Sequence, residues 1–201
     1  LSDAELIALL LRNGVRGKDA LGLARELLAE FGGIRGLFAV ESKRLKTVKG
    51  LGPAKISSLL AVSEIGRRRL REEITGKPFL RDPQTVMSYL YASLRDKKKE
   101  VFKVLFLNKA NCVVNDQDLF EGTLDETAVH LREIIKASLD HHASALILVH
   151  NHPSGRIEPS REDIEITRKI QNACQSVGIR ILDHLIVGDN QYYSFSEQHL
   201  L

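Results

Sequence analysis

The apolar residues between Ser2 and about Arg71 recur every three or four positions, which is the spacing of amphipathic helices. Nothing in this part of the sequence alternates between apolar and polar residues as a half-buried strand would. Glycines, which favour turns and helix ends, separate the helical segments at positions 14, 17, 32, 33, 36, 50 and 52. The pattern predicts a small bundle of short helices.

Further along the chain, helical stretches are mixed with short apolar runs that are typical of strands. The predicted helices cover residues 83–94, 127–141 and about 160–177, and the predicted strands cover residues 100–107, 112–114, 119–121, 145–149, 179–187 and 192–195. This order of elements indicates a mixed β-sheet with flanking helices.

Residues 74–83 interrupt both patterns with two prolines and a glycine. At the end of this segment, Asp82 and Pro83 are typical of the cap and first turn of a new helix. We therefore predict two domains of an α+β protein, a helical domain over residues 1–76 and a mixed-sheet domain over residues 77–201.

The composition excludes several classes of protein. Of the 201 residues, 43% are hydrophobic and 27% are charged, and no apolar run reaches the length of a membrane span. The chain begins at Leu1 without a basic leader or an apolar export segment, so we expect a cytoplasmic protein that does not associate with membranes. Cys112 and Cys174 stand far apart, and we expect both thiols to be reduced.

The first candidate for chemistry is the pair His150 and His152, which follows the predicted strand 145–149. Side chains two positions apart on an extended chain point the same way, so both imidazoles would face one spot. A single histidine in such a place is more often a hydrogen-bonded interior residue. Two histidines that converge favour a metal site instead.

A third ligand is predicted in the segment from Ser160 to Asp163, which begins a helical pattern. The ordinary interpretation of Ser-x-x-Asp is a helix cap, in which Asp163 also balances the helix dipole. The helical phase, however, puts Asp163 on the inward face with Ile166, Ile170, Cys174 and Val177, where a carboxylate needs a cation. Two histidines and one aspartate leave a tetrahedral position open, as in catalytic zinc sites.

The helical domain contains a motif of its own. Residues 45–56, LKTVKGLGPAKI, resemble the helix-hairpin-helix motif of nucleic-acid enzymes. Gly50 and Gly52 permit a tight turn with exposed backbone N–H groups, and Pro53 begins a helix whose N-terminus attracts anions. Such groups would bind the DNA backbone without reading its sequence.

Lys49 and Lys55 would add positive charge to this turn. Residues 1–76 contain 14 Lys and Arg against 9 Asp and Glu, a modest excess for a protein that neutralises many phosphates. The motif is therefore open to a second interpretation, a compact turn in the bundle or a protein contact.

The spacing from His150-x-His152 through seven residues to Ser160-x-x-Asp163 resembles the signature of the JAB/MPN (JAMM) zinc metalloproteases, which include isopeptidases. The flanking segments resemble its bacterial RadC-like branch: LSDAE at 1–5, EGTL at 121–124, HNHPSG at 150–155, PSRED at 159–163 and DHLIVG at 183–188. The resemblance covers nearly the whole chain. It implies a cytidine-deaminase-like α/β architecture and one Zn²⁺ per chain.

The same resemblance implies roles for two more residues. Glu100, at the start of the predicted strand 100–107, matches the general base of the family, and Ser160 would donate a hydrogen bond to the oxyanion. From composition alone, Glu100 would belong to a solvated charge cluster at residues 96–100, and Ser160 would be a cap.

Some positions depart from the pattern of the branch. Leu131 follows His130 where proline is usual, and Arg156 and Ile157 replace a more acidic, turn-forming pair. These departures leave the three ligands in place, and they put the shape of the loop and the substrate in doubt.

Three further residues are candidates for orienting the ligands by hydrogen bonds: His130, Asp183 and His184. Roles on a helix surface or in structural hydrogen bonding remain open for each of them.

Two hypotheses of function follow. The first is a zinc-dependent hydrolase that cleaves a peptide or isopeptide bond in a protein substrate. The alternative is an accessory protein of DNA repair or recombination, which binds DNA through the helix-hairpin-helix and uses the C-terminal domain as a scaffold. The two are compatible, because a fold does not by itself establish an activity.

Overall fold

The structure is a computed structural model that describes residues 1–78, 83–122 and 127–201, with residues 127–130 described by their backbone alone. The chain forms two compact units, Leu1–Arg68 and Arg69–Leu201. The predicted limits, 1–76 and 77–201, lie later in the sequence. Leu70 and Ile74 pack in a hydrophobic core of the second unit, so these residues go with the mixed-sheet part of the chain.

The first unit is helical, as the spacing of its apolar residues predicts. The helices are α1 (Asp3–Leu11), α2 (Ala20–Phe31), α3 (Ile34–Ala39), α4 (Ser42–Leu45) and α5 (Pro53–Ile74), the last of which ends in the second unit. Ser2 and Glu5 form a capping box that begins α1. Asp19 caps α2. The core consists of buried side chains such as Ile7, Leu27 and Leu59.

The second unit is built on a five-stranded sheet in the order β2-β1-β3-β4-β5. The strands are β1 (Val101–Leu107), β2 (Val113–Glu121), β3 (Ala145–Asn151), β4 (Arg180–Val187) and β5 (Tyr192–Ser194). β3 and β4 are parallel, and the other neighbours are antiparallel. The helices are α6 (Pro83–Leu90), which continues into a π-helical turn (Tyr91–Arg95), α7 (Thr127–Asp140) and α8 (Arg161–Ser176). The predicted α+β class with a mixed sheet is confirmed.

The central strands β1 and β3 are buried along their whole length, which explains their nearly continuous apolar sequences. Alternate side chains of these strands enter two cores. One core joins the sheet to α6 and the π-helical turn, and the other joins it to α7 and α8. This arrangement places the end of β3 beside the beginning of α8.

β2 differs from the prediction. The sequence indicates two short strands, 112–114 and 119–121, because the residues between them are polar. The structure has one continuous strand instead. The polar run is tolerated because the buried Asp116 accepts hydrogen bonds from Lys103 Nζ (2.8 Å) and Tyr89 Oη (2.5 Å) and forms an ion pair with Arg71.

Smaller differences concern the ends of elements. Regular α-helix stops at Leu90, four residues before the predicted end, because the chain continues as a π-helical turn. Val177, predicted to face inward from α8, is 45% exposed because it lies at the C-cap, beyond the last helical residue. Asp82, the predicted cap of α6, lies outside the described residues.

Cys112 and Cys174 are free thiols. Within the described part of the chain, every helix is too short or too polar to cross a membrane.

Candidate metal centre

Three predicted ligands meet at one end of the sheet. His150 and His152 lie at the end of β3, and Asp163 lies in the first turn of α8. His150 Nε2 is 3.0 Å from His152 Nε2 and 3.3 Å from Asp163 Oδ1, and His152 Nε2 is 3.5 Å from Asp163 Oδ2. The sequence prediction that these side chains converge is confirmed.

These separations fit a small tetrahedral cation. Zinc binds histidine nitrogen and carboxylate oxygen at about 2.0–2.2 Å, so ligand atoms around one tetrahedral ion lie roughly 3.3 Å apart. The donor set of two imidazoles and one carboxylate also suits zinc. The residues of this site can therefore hold a metal ion with their side chains as they stand.

The position of Asp163 is compatible with both of the interpretations that the sequence left open. Its Oδ2 accepts hydrogen bonds from Ser160 N (2.8 Å) and Ser160 Oγ (2.7 Å), and its own N–H donates to Ser160 Oγ (3.0 Å), which makes a complete capping box. At the same time its carboxylate is buried and faces the histidines. The cap fixes the carboxylate in the orientation that a ligand needs.

The titration of the site favours the ionised aspartate. Burial of Asp163 opposes ionisation, but hydrogen bonds from His152 and Ser160 and the charge interaction with His150 outweigh it and hold the pKa well below its usual range. Burial lowers the pKa of His150 to about 4. The hydrogen bond with Asp163 raises the pKa of His152. Near neutral pH, His150 is therefore neutral and lies next to a carboxylate.

The protonated nitrogen of His152 can be assigned from its partner. His152 Nδ1 lies 3.1 Å from the backbone carbonyl oxygen of Arg156, and only an N–H can donate to that oxygen. In the neutral ring Nε2 is then the unprotonated nitrogen, directed at His150 and Asp163. Arg156, which departs from the family pattern, contributes here through its backbone, where the side chain matters little.

A chain of hydrogen bonds makes the same assignment for His150. Thr167 Oγ1 donates its only hydrogen to the carbonyl oxygen of Asp163 (2.5 Å), so it must accept from His184 Nδ1 (2.6 Å). His184 Nε2 is then bare and accepts from His150 Nδ1 (2.9 Å). Consequently, the Nε2 of His150 is also unprotonated and faces the other two ligands.

His184, predicted as an orienting residue, is held in a dry environment. Its ring stacks on Phe195 at 4.7 Å between centroids and meets the edge of Phe102 at 5.8 Å. Burial is the main cause that lowers the pKa of His184 well below its usual value, so the ring stays neutral. The neutral ring is what the chain of hydrogen bonds requires.

Glu100 lies immediately before β1 and is half-buried. Burial and the negative charge of Asp163 raise its pKa, and the positive charge that His152 can carry acts in the opposite direction. The carboxylate is thus near enough to the ligand group to interact electrostatically with two of its members. This position differs from that of a fully solvated charge cluster.

The remaining predicted orienting residues differ from His184. Asp183 accepts hydrogen bonds from Ser194 Oγ (2.6 Å), Ser196 N (3.0 Å) and the backbone N of His184 (2.7 Å), which anchor β5 and the chain after it. These contacts match the structural alternative that the sequence left open for Asp183. The side chain of His130 lies outside the described residues.

In the helical unit, Gly50 adopts the left-handed conformation (φ 96°), as a tight turn requires. Lys55 Nζ donates to the backbone carbonyls of Gly14 (3.1 Å) and Gly50 (3.2 Å), which ties the turn to an earlier loop. Its ammonium group is therefore engaged within the protein, whereas Lys49 is exposed and Gly52 has open space around it. DNA contact by these residues stays a prediction.

Comparison with known proteins gives the same assignment of the fold. Residues 80–200 match the model of the RadC-like JAB domain, and residues 1–57 match that of the UPF0758 N-terminal family. The chain belongs to the RadC-like JAB domain family. The match to the N-terminal family does not itself establish a helix-hairpin-helix.

Similar proteins extend along nearly the whole chain. A UPF0758 protein of Photobacterium profundum is 51% identical over 198 residues, which is 98% of this chain and 88% of that protein. A UPF0758 protein of Nitrosococcus oceani is 49% identical over 201 residues, 100% of this chain and 90% of the relative. One from Azotobacter vinelandii is 48% identical over 98% of this chain.

Sequence reasoning missed three residues that shape the site: Asn151, Thr167 and Gly188. A side chain at Gly188 would place its Cβ 2.5 Å from the carbonyl oxygen of Gly155 and 2.6 Å from Ile157 Cγ2, so glycine lets the loop after His152 approach β4. Asn151 and Gly188 lie within segments that resemble the family, but the resemblance assigned no role to either residue. Their contacts depend on the packing of distant segments, which gives no local signal.

Proposed function

We propose that this protein is a zinc-dependent hydrolase of peptide or isopeptide bonds. One observation carries the proposal: the Nε2 atoms of His150 and His152 and the carboxylate of Asp163 converge within 3.0–3.5 Å of one another. Such a group is repulsive unless a proton or a metal ion lies among its members. Three ligands of this kind leave one tetrahedral position for a water molecule or a substrate.

His150, His152 and Asp163 would hold the ion. When bound, zinc supplies a Lewis acid that lowers the pKa of a water ligand from 15.7 to roughly 7 and polarises a carbonyl. The hydrogen bonds from His150 to His184 and from His152 to the Arg156 carbonyl keep the ligating nitrogens directed at one point.

Glu100 would act as the general base. Its carboxylate is half-buried beside the ligand group, and burial raises its pKa toward the working pH, which favours proton transfer in both directions. Glu100 would take a proton from the attacking water and return it to the leaving amine. This role was inferred from the family resemblance, and the electrostatic proximity to Asp163 and His152 supports it.

Ser160 would stabilise the oxyanion of the tetrahedral intermediate. In the structure its hydroxyl hydrogen points to Asp163 Oδ2, so the hydroxyl has to rotate before it can donate to substrate. The backbone N–H of Ser160 also donates to Asp163 Oδ2, and this bond can hold the cap while the hydroxyl turns.

The test combines metal analysis with a substrate screen. Wild-type protein purified without chelators should contain about one zinc per chain, Asp163→Ala should contain little, and Glu100→Gln should retain it. A panel of peptide and isopeptide substrates should then show hydrolysis by the wild type alone. Wild-type protein that binds no zinc in a direct titration would contradict the metal site, and Glu100→Gln with full activity would remove the general base.

A further inference from the structure

Asn151 stands between the two histidines of the ligand group, and its side chain leaves β3 on the face opposite to theirs. It is completely buried. Oδ1 accepts a hydrogen bond from Val101 N (2.9 Å), and Nδ2 donates to the carbonyl oxygens of Lys99 (3.2 Å) and Lys97 (3.4 Å). All three partners are backbone groups of one segment, residues 97–101, and this segment contains Glu100.

Few other bonds hold the segment before β1: Lys97 N donates to the carbonyl oxygen of Leu94 (3.1 Å), and Lys99 forms an exposed ion pair with Glu121. Lys97 to Lys99 are exposed, and such connections between elements are ordinarily more mobile than the elements themselves. A general base, by contrast, must be held within about 0.5 Å of its productive position. One further bond, from Gly122 N to the carbonyl oxygen of Glu100 (2.9 Å), fixes the segment from the side of β2.

The carboxamide also matches its partners in chemical type. An asparagine side chain offers one acceptor and two donors here, and it meets one backbone N–H and two backbone carbonyls. Aspartate would place an oxygen against the carbonyls of Lys97 and Lys99. Alanine would leave three backbone groups without these bonds.

We propose that Asn151 is the positioning residue for Glu100. β3 would supply both histidine ligands. Asn151, the residue between them, would hold the segment that contains the general base. The distance between base and ligands is then fixed by a single rigid element, and Asn151 acts through the backbone of residues 97–101. This inference rests on the proposed function, in which Glu100 acts at the zinc site.

The experiment compares Asn151→Asp and Asn151→Ala with wild type, using Co²⁺ as a spectroscopic replacement for zinc. We expect both variants to bind one metal ion with an affinity within about threefold of wild type, because neither substitution changes a ligand. Substitution of a residue that is hydrogen-bonded to a ligand typically lowers metal affinity roughly 10–100-fold. The visible spectrum of the bound Co²⁺ should shift as it does in Glu100→Gln. Backbone amides of residues 97–101 should exchange hydrogen at least about tenfold faster.

Combining Asn151→Asp with Glu100→Gln distinguishes positioning from a merely structural role. If Asn151 acts through Glu100, the double variant has the spectrum of Glu100→Gln alone, so the two changes are not additive. A matched control is Asn108→Ala, which removes side-chain bonds to Ala110 N and Cys112 N beyond the other end of β1. This control should lower stability and leave the spectrum unchanged.

Two results would overturn the inference, and they distinguish a failure of the proposed function from a failure of the role of Asn151 alone. A wild-type protein without the absorption of bound Co²⁺ removes the proposed function and the inference together. A wild type that binds Co²⁺, with Asn151 variants of unchanged spectrum and unchanged exchange at residues 97–101, removes the role of Asn151 alone.

Discussion

Phe102 lies opposite His150 in the antiparallel pairing of β1 with β3. Because the pairing is antiparallel, the residues before Phe102 and those after His150 lie at the same end of the two strands, which brings Glu100 to the end where His152 lies. The candidate base and the candidate ligands therefore meet although some fifty residues separate them in the sequence. A shift of the register by one residue would turn Glu100 to the other face of the sheet.

The hydrogen-bond chain behind His150 predicts a role for Thr167. We expect Thr167→Val to weaken zinc binding roughly 10–100-fold, because the valine cannot accept from His184 and the tautomer of His150 is no longer fixed. Thr167→Ser keeps the hydroxyl and should bind zinc almost as tightly as wild type. Competition with a chromophoric chelator measures both affinities, and equal weakening in the two variants would argue against the hydrogen-bond chain.

A side chain at position 188 should displace the loop after His152. We expect Gly188→Ala to cost about 1–3 kcal/mol of folding free energy, because the new Cβ meets the backbone of Gly155. It should also weaken zinc binding, since the displaced loop contains the carbonyl of Arg156 that orients His152. Denaturant unfolding and a zinc titration check the two effects.

Gly66→Ala is the control for the glycine substitution. Gly66 lies in α5, where an added Cβ would meet open space, so alanine should be neutral or stabilising by up to about 1 kcal/mol. If both glycine variants behave alike, the close approach at Gly188 is not what limits that position.

The buried ion pair between Lys103 and Asp116 predicts a dependence of stability on pH. Burial favours the neutral form of Asp116, but Lys103, Tyr89 and Arg71 outweigh it and lower its pKa. Its contribution to stability is therefore present above the unfolded pKa of about 3.9 and is lost as the pH falls through the lower pKa of the folded state. We expect Asp116→Asn to cost roughly 3 kcal/mol or more at pH 7.

The difference between wild type and Asp116→Asn should shrink below about pH 4. Asp118 also pairs with Lys103 but is 49% exposed, so Asp118→Asn should cost less than about 1 kcal/mol. Urea unfolding at several pH values gives these differences. A loss in Asp116→Asn that stays constant down to pH 2 would contradict the assignment.

The contribution of Glu100 to stability should change with pH in the direction opposite to that of Asp116. Burial and Asp163 raise the pKa of Glu100, so the folded, metal-free protein loses stability as the pH rises above the unfolded value of about 4.3. Glu100→Gln should therefore melt at a higher temperature than wild type at pH 7 in the presence of a chelator, and at the same temperature near pH 4. Glu121→Gln, at an exposed position, is the control and should not raise the melting temperature. A Glu100→Gln variant that melts below wild type at pH 7 would refute the expectation.

Substitutions of Lys49 and Lys55 should affect the stability of the helical unit differently. Lys55→Met should lower stability by about 1–3 kcal/mol, because it removes the bonds to Gly14 and Gly50, whereas Lys49→Met should leave stability unchanged. If this turn binds DNA, Lys49→Glu should weaken binding at low salt, with the fold intact. A gel-shift assay with duplex DNA measures this, and equal affinity of wild type and variant would remove DNA contact at Lys49.

Sequence patterns alone predict the kind of most elements and the bounds of several of them. Helical spacing predicts a bundle of helices between Ser2 and about Arg71, because one buried face of a helix gives a periodic pattern. Short apolar runs predict β1, β3 and β4, because strands that are buried along most of their length are nearly continuously apolar. The convergence of His150, His152 and Asp163 could also be predicted, because the strand period and the helix phase are local properties. The role of Glu100 came only from the family resemblance.

Features that depend on partners distant in the sequence follow only from the packing of the elements. The continuity of β2 depends on cations from β1 and α5 that neutralise Asp116, and a polar run in isolation predicts a turn. The unprotonated nitrogens of the histidines depend on Thr167, His184 and the Arg156 carbonyl. Local sequence records which face of an element is buried, but the hydrogen-bond partners of a side chain are chosen only when the elements pack together.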